Sequence, residues 1–314
     1  MADEVSMRET YGKTLVELGK ENRNIVVLDA DLSKSTMTTF FAKEFPERFF
    51  DCGIAEQNMV GIAAGLASSG KIPFASTFAV FVPGRCFDQI RVSIAQPGLN
   101  VKLVVTHGGI TVGEDGSSHQ AVEDLSLITS LPGFTVIVPA DAIETAQAIK
   151  AAASSCGPFY IRLPRLKTPL VYTENYSFEP GKAVEMRQGT DATIIAIGIM
   201  VASALEAADN LKKKGVDCGV LNMPTLKPID EAAIIKAATD TGAIVTAEEH
   251  LEHGGLGSIV AQVTARHHPV PMEFVAIKDT YAESGTPAEL LEKYGLTAKE
   301  IEQAVVTVIG KKKT

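Results

Sequence analysis

Glu56 is the only acid in GIAEQNMVGIAAGLASSG (53–70), a stretch otherwise built from small, apolar and uncharged polar residues. A carboxyl group in such surroundings, if desolvated, can hold and pass a proton near neutral pH. Exposed in a first turn, it would only complement the helix dipole. Other reactive side chains fall just after β-branched runs. NIVVLDA leads into Asp31 and Ser35, and KLVVTHG reaches His107. ITVGEDGSSHQ carries Glu114, Asp115 and His119, and PFYIRLPR ends with Arg162 and Arg165. Arginine forks suit phosphate while His and Asp suit hydroxyls, so the set points to an anionic, hydroxylated ligand.

These residues need a scaffold that brings strand ends together. Short β-branched runs alternate with helical stretches throughout: NIVVLDA then FAKEFPERF, KLVVTHG then DLSLITSLPG, TVIVPA then DAIETAQAIKAAASS. That alternation predicts an α/β fold of mostly parallel strands, in which ligands collect at the carboxyl ends. Met59, Ile62, Ala63 and Leu66 at helical spacing, with Gly61, Ala64 and Gly65 between them, predict a mostly buried helix that a neighbouring backbone approaches closely. Residues 166–190 are polar, irregular and contain two prolines, which reads as an interdomain crossing. Alternation then resumes from DATIIAIGI to MEFVAIK. We therefore expect two three-layer α/β domains, 1–180 (including the linker from about 166) and 181–314.

The chain has 314 residues, 46% of them hydrophobic, enough for two cores. Its four cysteines (Cys52, Cys86, Cys156, Cys218) lie far apart without C-x-x-C spacing, which argues against structural zinc and a disulfide framework. A charged amino terminus and the lack of any 18-residue apolar run predict a cytoplasmic protein without membrane partners. A net charge of -9 argues against nucleic acid, and Lys311 to Lys313 read as a solvated tail.

With these residues in view, the sequence resembles the C-terminal half of a transketolase, including its pyrimidine-binding and small C-terminal domains. The matching stretches are DADLSKS (29–35), FDCGIAEQNMVGIAAGLA (50–67), FASTFAVF (74–81), VVTHGGITVGEDGSSHQAVEDLSLITSLPG (104–133), VIVPAD (136–141), YIRLPR (160–165) and TAEEHLEHGGLGS (246–258). The resemblance covers essentially the whole chain. GIAEQNM followed at this separation by GEDGSSHQ is specific to thiamine-diphosphate enzymes of this superfamily.

The resemblance implies roles residue by residue. Glu56 would hydrogen-bond N1′ of the cofactor's aminopyrimidine and favour the tautomer that takes the proton from thiazolium C2. Phe78 and Phe81 would stack on the pyrimidine, and Asp31 would also line the cofactor site. A third aromatic common in the family is replaced by Gly84. His119 matches the histidine near the donor's C1 hydroxyl, and Asp115 the acid that reads a sugar hydroxyl. Arg8, Ser35, His107 and Arg165 match the group around the sugar phosphate. Arg162 is expected to pair with an acid. His250 and His253 could form only half a metal site.

The Gly-Asp-Gly motif that holds the diphosphate through a divalent metal is missing, Glu114-Asp115-Gly116 being the nearest match. The resemblance therefore implies the C-terminal subunit of a split transketolase of the pentose phosphate pathway. It would transfer a two-carbon ketol unit from a ketose phosphate to an aldose phosphate. An N-terminal subunit would supply the diphosphate domain with Mg2+ or Ca2+, giving a heterotetramer that includes contacts between copies of this chain. Rival readings are a deoxyxylulose-phosphate synthase-like enzyme using pyruvate, a 2-oxo acid dehydrogenase beta subunit, or a catalytically silent partner. The GEDGSSHQ sugar loop disfavours the dehydrogenase, and the intact site residues disfavour the silent partner.

Overall fold

A computed structural model describes residues 4–312. The first half forms a sheet of seven strands, in spatial order 225–227, 135–137, 159–162, 102–105, 72–76, 25–29 and 49–51. All neighbours are parallel except the pair 225–227 and 135–137, so the chain's second half contributes an antiparallel edge strand to the first sheet. The central strands are buried throughout and, apart from Asp29, Lys102 and Arg162, mostly apolar, as expected for strands covered on both faces. Helices Met7–Glu21 and Ala142–Ser154 pack together on one face, over Phe74, Val104 and Ile161. Helix Glu56–Ser68 lies on the other, where Met59, Val60 and Ala63 join the core.

The second half builds a five-stranded sheet in the order 272–277, 244–251, 192–196, 218–222 and 184–187, parallel but for the last strand. Helix Met200–Lys213 packs against Ala298–Lys311 on one face, and Glu231–Thr241 against Leu256–His267 on the other. The α/β expectation therefore holds in both halves. Among the described residues no helix is long and apolar enough to cross a membrane.

Three local expectations need correction. The segment 166–190 is not simply irregular. Lys167–Pro169 pairs with Glu4–Ser6, and Val184–Arg187 pairs with the strand at 218–222. Its tyrosines also tie the halves together. Tyr176 Oη donates to Glu144 Oε1 at 2.6 Å, and Asn222 Nδ2 donates to Tyr172 Oη at 2.7 Å and to both Glu144 oxygens at 3.0 and 3.1 Å. Second, the helix at 56–68 is not mostly buried. Gly61, Ile62 and Gly65 face outward, with open space where a Cβ would stand on either glycine. Third, the lysine tail is tied down: Lys311 pairs with Glu273 at 2.5 Å, and Lys312 Nζ donates to the carbonyls of Asp191 and Thr241 at 2.9 and 2.5 Å. Lys313 lies outside the described residues.

Candidate active site

The carboxyl ends of strands 25–29, 72–76 and 102–105 open onto one rim. Asp29 organises the first loop. Fully buried, its carboxylate accepts from Leu32 N at 2.6 Å, Thr36 Oγ1 at 2.7 Å and Thr38 Oγ1 at 2.8 Å. Burial outweighs these bonds and raises its pKa to about 6. Asp31 follows with φ 62°, a conformation that costs a non-glycine residue, and its amide donates to Asp51 Oδ1 at 3.1 Å. His107 is left-handed too, at φ 60°.

Four rings converge beyond these strand ends. Phe78 and Phe81 lie nearly parallel, with centroids 5.7 Å apart. His107 stacks on Phe78 at 3.8 Å, and His119 meets the Phe81 and Phe78 rings edge-on at 5.6 and 6.4 Å. Burial first, then the charges of Arg8, Arg165 and His119, lowers the His107 pKa to about 3. His107 is thus a neutral imidazole at neutral pH and acts as a hydrogen-bonding group. Its Nδ1 lies 2.8 Å from Thr106 Oγ1.

Beside the rings stand two guanidinium groups. Arg8 Nη1 donates to the Ser35 carbonyl at 2.5 Å, while its Nε and Nη2 donate to the Arg165 carbonyl at 3.2 and 3.0 Å. Arg165 Nη1 donates to Val112 O at 2.5 Å and to Glu114 Oε2 at 3.0 Å. Burial and the nearby Arg165 charge lower the Arg8 pKa. Two like charges held together in this way favour an anion between them.

Glu56 heads its helix with only 4% of its surface exposed. It is buried but not isolated: Arg85 Nη1 reaches Oε1 at 3.2 Å and Oε2 at 3.1 Å. The guanidinium carbon of Arg85 also sits 4.3 Å from the Phe81 centroid, beside the open position at Gly84. An uncharged pocket around Glu56 is thus the wrong expectation, because an arginine neutralises the carboxylate.

Arg8, Ser35, Phe78, Phe81, His107, His119 and Arg165 come together at this rim, and Glu56 joins them through Arg85. Ser35 takes part through its carbonyl. Among the described residues no hydrogen bond or ion pair connects the Asp31 or Asp115 side chain to the cluster; both are exposed. Arg162 turns inward, its Nε donating to Asp124 Oδ2 at 3.0 Å. His250 is buried, with Nδ1 2.8 Å from Leu251 O and Nε2 3.5 Å from Ser126 Oγ. Among the described residues no three His, Cys, Asp or Glu side chains group as metal ligands.

Sequence reasoning missed Arg85, the cation directly after Gly84, where an aromatic would otherwise stand. It also missed Glu249, a buried acid in strand Ile244–Leu251, whose Oε1 accepts from Thr111 N at 2.7 Å. Consecutive acids in TAEEHLEH were the available signal for Glu249.

The arrangement has the residue types that would suit one half of a thiamine cofactor. Parallel aromatic faces beside a carboxylate suit a planar heteroaromatic ring with a basic nitrogen, whereas nothing among the described residues offers the hard-oxygen cage of a diphosphate-bound metal.

Residues 3–170 match the transketolase pyrimidine-binding domain and residues 181–301 the transketolase C-terminal domain. A solved structure described as a split gene transketolase, inactive beta4 tetramer, is 54% identical with a TM-score of 0.92, covering 98% of this chain and 99% of that one. A Methanocaldococcus jannaschii protein whose name includes the words transketolase C-terminal section is 48% identical over 97% of this chain and 96% of its own length. A 6-deoxy-6-sulfo-D-fructose transketolase subunit from Clostridium sp. strain MSTE9 is 44% identical over 98% of this chain and 95% of its own.

Proposed function

The chain belongs to the transketolase family, and on that premise we propose that it is the C-terminal subunit of a split transketolase, moving a two-carbon ketol unit from a ketose phosphate to an aldose phosphate. The observation that carries this reading is the convergence of Phe78, Phe81, His107 and His119 with Arg8 and Arg165 on the rim that Glu56 adjoins. A ring face, proton-handling groups and paired cations are what a phosphorylated ketose and a pyrimidine-bearing cofactor require together.

Thiamine diphosphate, when bound, would supply a thiazolium carbon that becomes nucleophilic toward a ketose carbonyl once its proton is removed. In this division of labour, Phe78 and Phe81 hold the pyrimidine faces. Glu56 would turn from Arg85 to the ring and hydrogen-bond its N1′. His119 meets the donor's C1 hydroxyl, and Asp115 binds an acceptor hydroxyl. Asp31 shapes the cofactor-side loop. Arg8 and Arg165 neutralise the phosphate, with neutral His107 and Ser35 completing that end. The two domains divide near residue 180. An N-terminal subunit supplies the diphosphate site and its Mg2+ or Ca2+, and the assembly is a cytoplasmic heterotetramer.

The outward Gly61, Ile62 and Gly65 strip, continued by Ile54 at 81% exposure, supports such assembly. The test is reconstitution. The purified chain alone should show no two-carbon transfer, and adding its N-terminal subunit with thiamine diphosphate and Mg2+ should restore it with a ketose phosphate donor. Normal transfer by the lone chain would refute the split reading, and a preference for pyruvate would favour the synthase-like alternative.

A further inference from the structure

Building on the function proposed above, we propose that the second domain positions the substrate loop of the first, with Glu249 as the positioning residue. The loop from His107 to Ala121 carries His107, Asp115 and His119, yet its helical content is two short turns, Gly113–Asp115 and Ser117–His119. An irregular segment has no continuous ladder of its own, so its backbone groups need other partners to hold one shape. The loop bonds to itself and to Leu163, Arg162 and Arg165 of the first domain, and the second domain supplies further partners.

Glu249, on strand Ile244–Leu251, is buried and accepts from Thr111 N at 2.7 Å. Its carboxylate occupies the space that a Cβ on Gly109 would take, and Gly109 has φ 81°, so only glycine allows this approach. Further along, Gln120 Nε2 donates to Ile110 O at 3.3 Å and to Glu283 O of the second domain at 3.0 Å. Gly116, at φ 77°, leaves room for Ser284 Oγ, which would stand 2.6 Å from an added Cβ.

Where the loop ends, Leu251 N donates to Val122 O at 2.9 Å, and Arg162 Nη2 joins Ala121 O at 2.9 Å to Glu249 O at 3.0 Å. The loop is therefore gripped at Gly109, Thr111, Gly116, Gln120 and Ala121–Val122 by side chains and backbone distant in sequence. Glu249 makes the grip nearest His107. It acts through Thr111, and its effect on chemistry is the placement of the substrate-facing side chains.

Two measurements on Glu249→Ala, Glu249→Gln and Gln120→Met test this. One is amide hydrogen exchange across residues 107–121 in the full chain; the other is KM and kcat in the enzyme assembled with its N-terminal subunit. In Glu249→Ala the Thr111 amide should exchange about tenfold faster or more, and KM for a phosphorylated ketose should rise roughly tenfold. Deuterium exchange at thiazolium C2, which depends on Glu56, should stay at the parent rate. Glu249→Gln keeps an oxygen for Thr111 and should restore both values. Gln120→Met should loosen the loop's far end in the same assay.

Parent-like Thr111 exchange in Glu249→Ala, a parallel loss of C2 exchange, or no rescue by Gln would overturn the proposal. If the Ala variant does not fold, Gln120→Met decides: a loosened loop with raised KM supports the proposal, and parent-like values overturn it. An assembled parent without transfer activity would refute the functional reading, while the amide-exchange result would still judge the positioning.

Discussion

Both carboxylate oxygens of Glu56 share one nitrogen of Arg85, at 3.2 and 3.1 Å, in a pair that reaches across 29 residues of sequence. Any basic ring nitrogen that uses Glu56 must compete with this guanidinium. Arg85 is about half exposed, so solvent weakens the pair. Arg85→Ala should therefore tighten thiamine diphosphate binding to the assembled enzyme by only ~3–10-fold. Titration by intrinsic fluorescence measures this. Weaker binding in the variant would mean that Arg85 helps hold the cofactor rather than competing with it.

Glu56→Gln separates proton transfer from packing. The amide preserves size and much of the hydrogen bonding but cannot exchange the proton at N1′. Deuterium exchange at thiazolium C2 should slow by ~10²–10⁴-fold in the assembled enzyme, with folding and cofactor binding intact. A parent-like exchange rate would leave Glu56 as a first-turn acid worth about 0.3–1 kcal/mol to its helix.

Arg165→Ala removes the guanidinium that sits nearest Glu114 and the Arg8 side chain. Loss of a charge-assisted phosphate contact of ~1.5–3 kcal/mol should raise KM for phosphorylated sugars by roughly ten- to a hundred-fold. Hydroxypyruvate, which lacks the phosphate, should be affected far less. Equal losses on both donors would assign Arg165 to holding the loop through Val112 O instead.

Glu144 gives the fold a pH signature. Burial raises its pKa to about 7, although Tyr176, Ala140 N and Asn222 all donate to it. The folded value exceeds the unfolded one, so the stabilisation is complete below about pH 4.5 and fades as pH rises through 7. The loss is on the order of 3 kcal/mol. Glu248, also raised to about 7 by burial, titrates with the same sign. Comparing the melting temperatures of the parent and Glu144→Gln between pH 5 and pH 8 isolates the Glu144 part. The parent should lose ground to the variant as pH rises, and a constant difference would contradict this assignment.

Strand ends, the helix start at Glu56 and the pairing of Arg162 with an acid were legible because each follows from local periodicity or from a charge set in an apolar run; that the acid is Asp124 came only from the fold. The short strands at Lys167–Pro169, Val184–Arg187 and Thr225–Lys227 were not. Each owes its conformation to a partner far away in sequence rather than to its own pattern. The same reason hid Arg85 and Glu249, whose meaning lies in what they touch. Gly61 and Gly65 read as places where a neighbouring backbone comes close, but among the described residues nothing stands within 4 Å of where a Cβ would lie on either. Asp31 and Asp115 occupy the expected loops, yet spacing alone did not indicate that their side chains stand apart from the ring cluster.

Thr225–Lys227, the strand lent by the second half to the first sheet, makes the two halves poor candidates for separate expression. A fragment ending near residue 180 would lose that cover and expose the backbone of Thr135–Ile137 as a bare edge, a template for adding strands from other molecules. The small antiparallel pairing thus covers what would otherwise be an open edge of the first sheet. A truncation made to simplify the protein would trade a folded subunit for a sticky one.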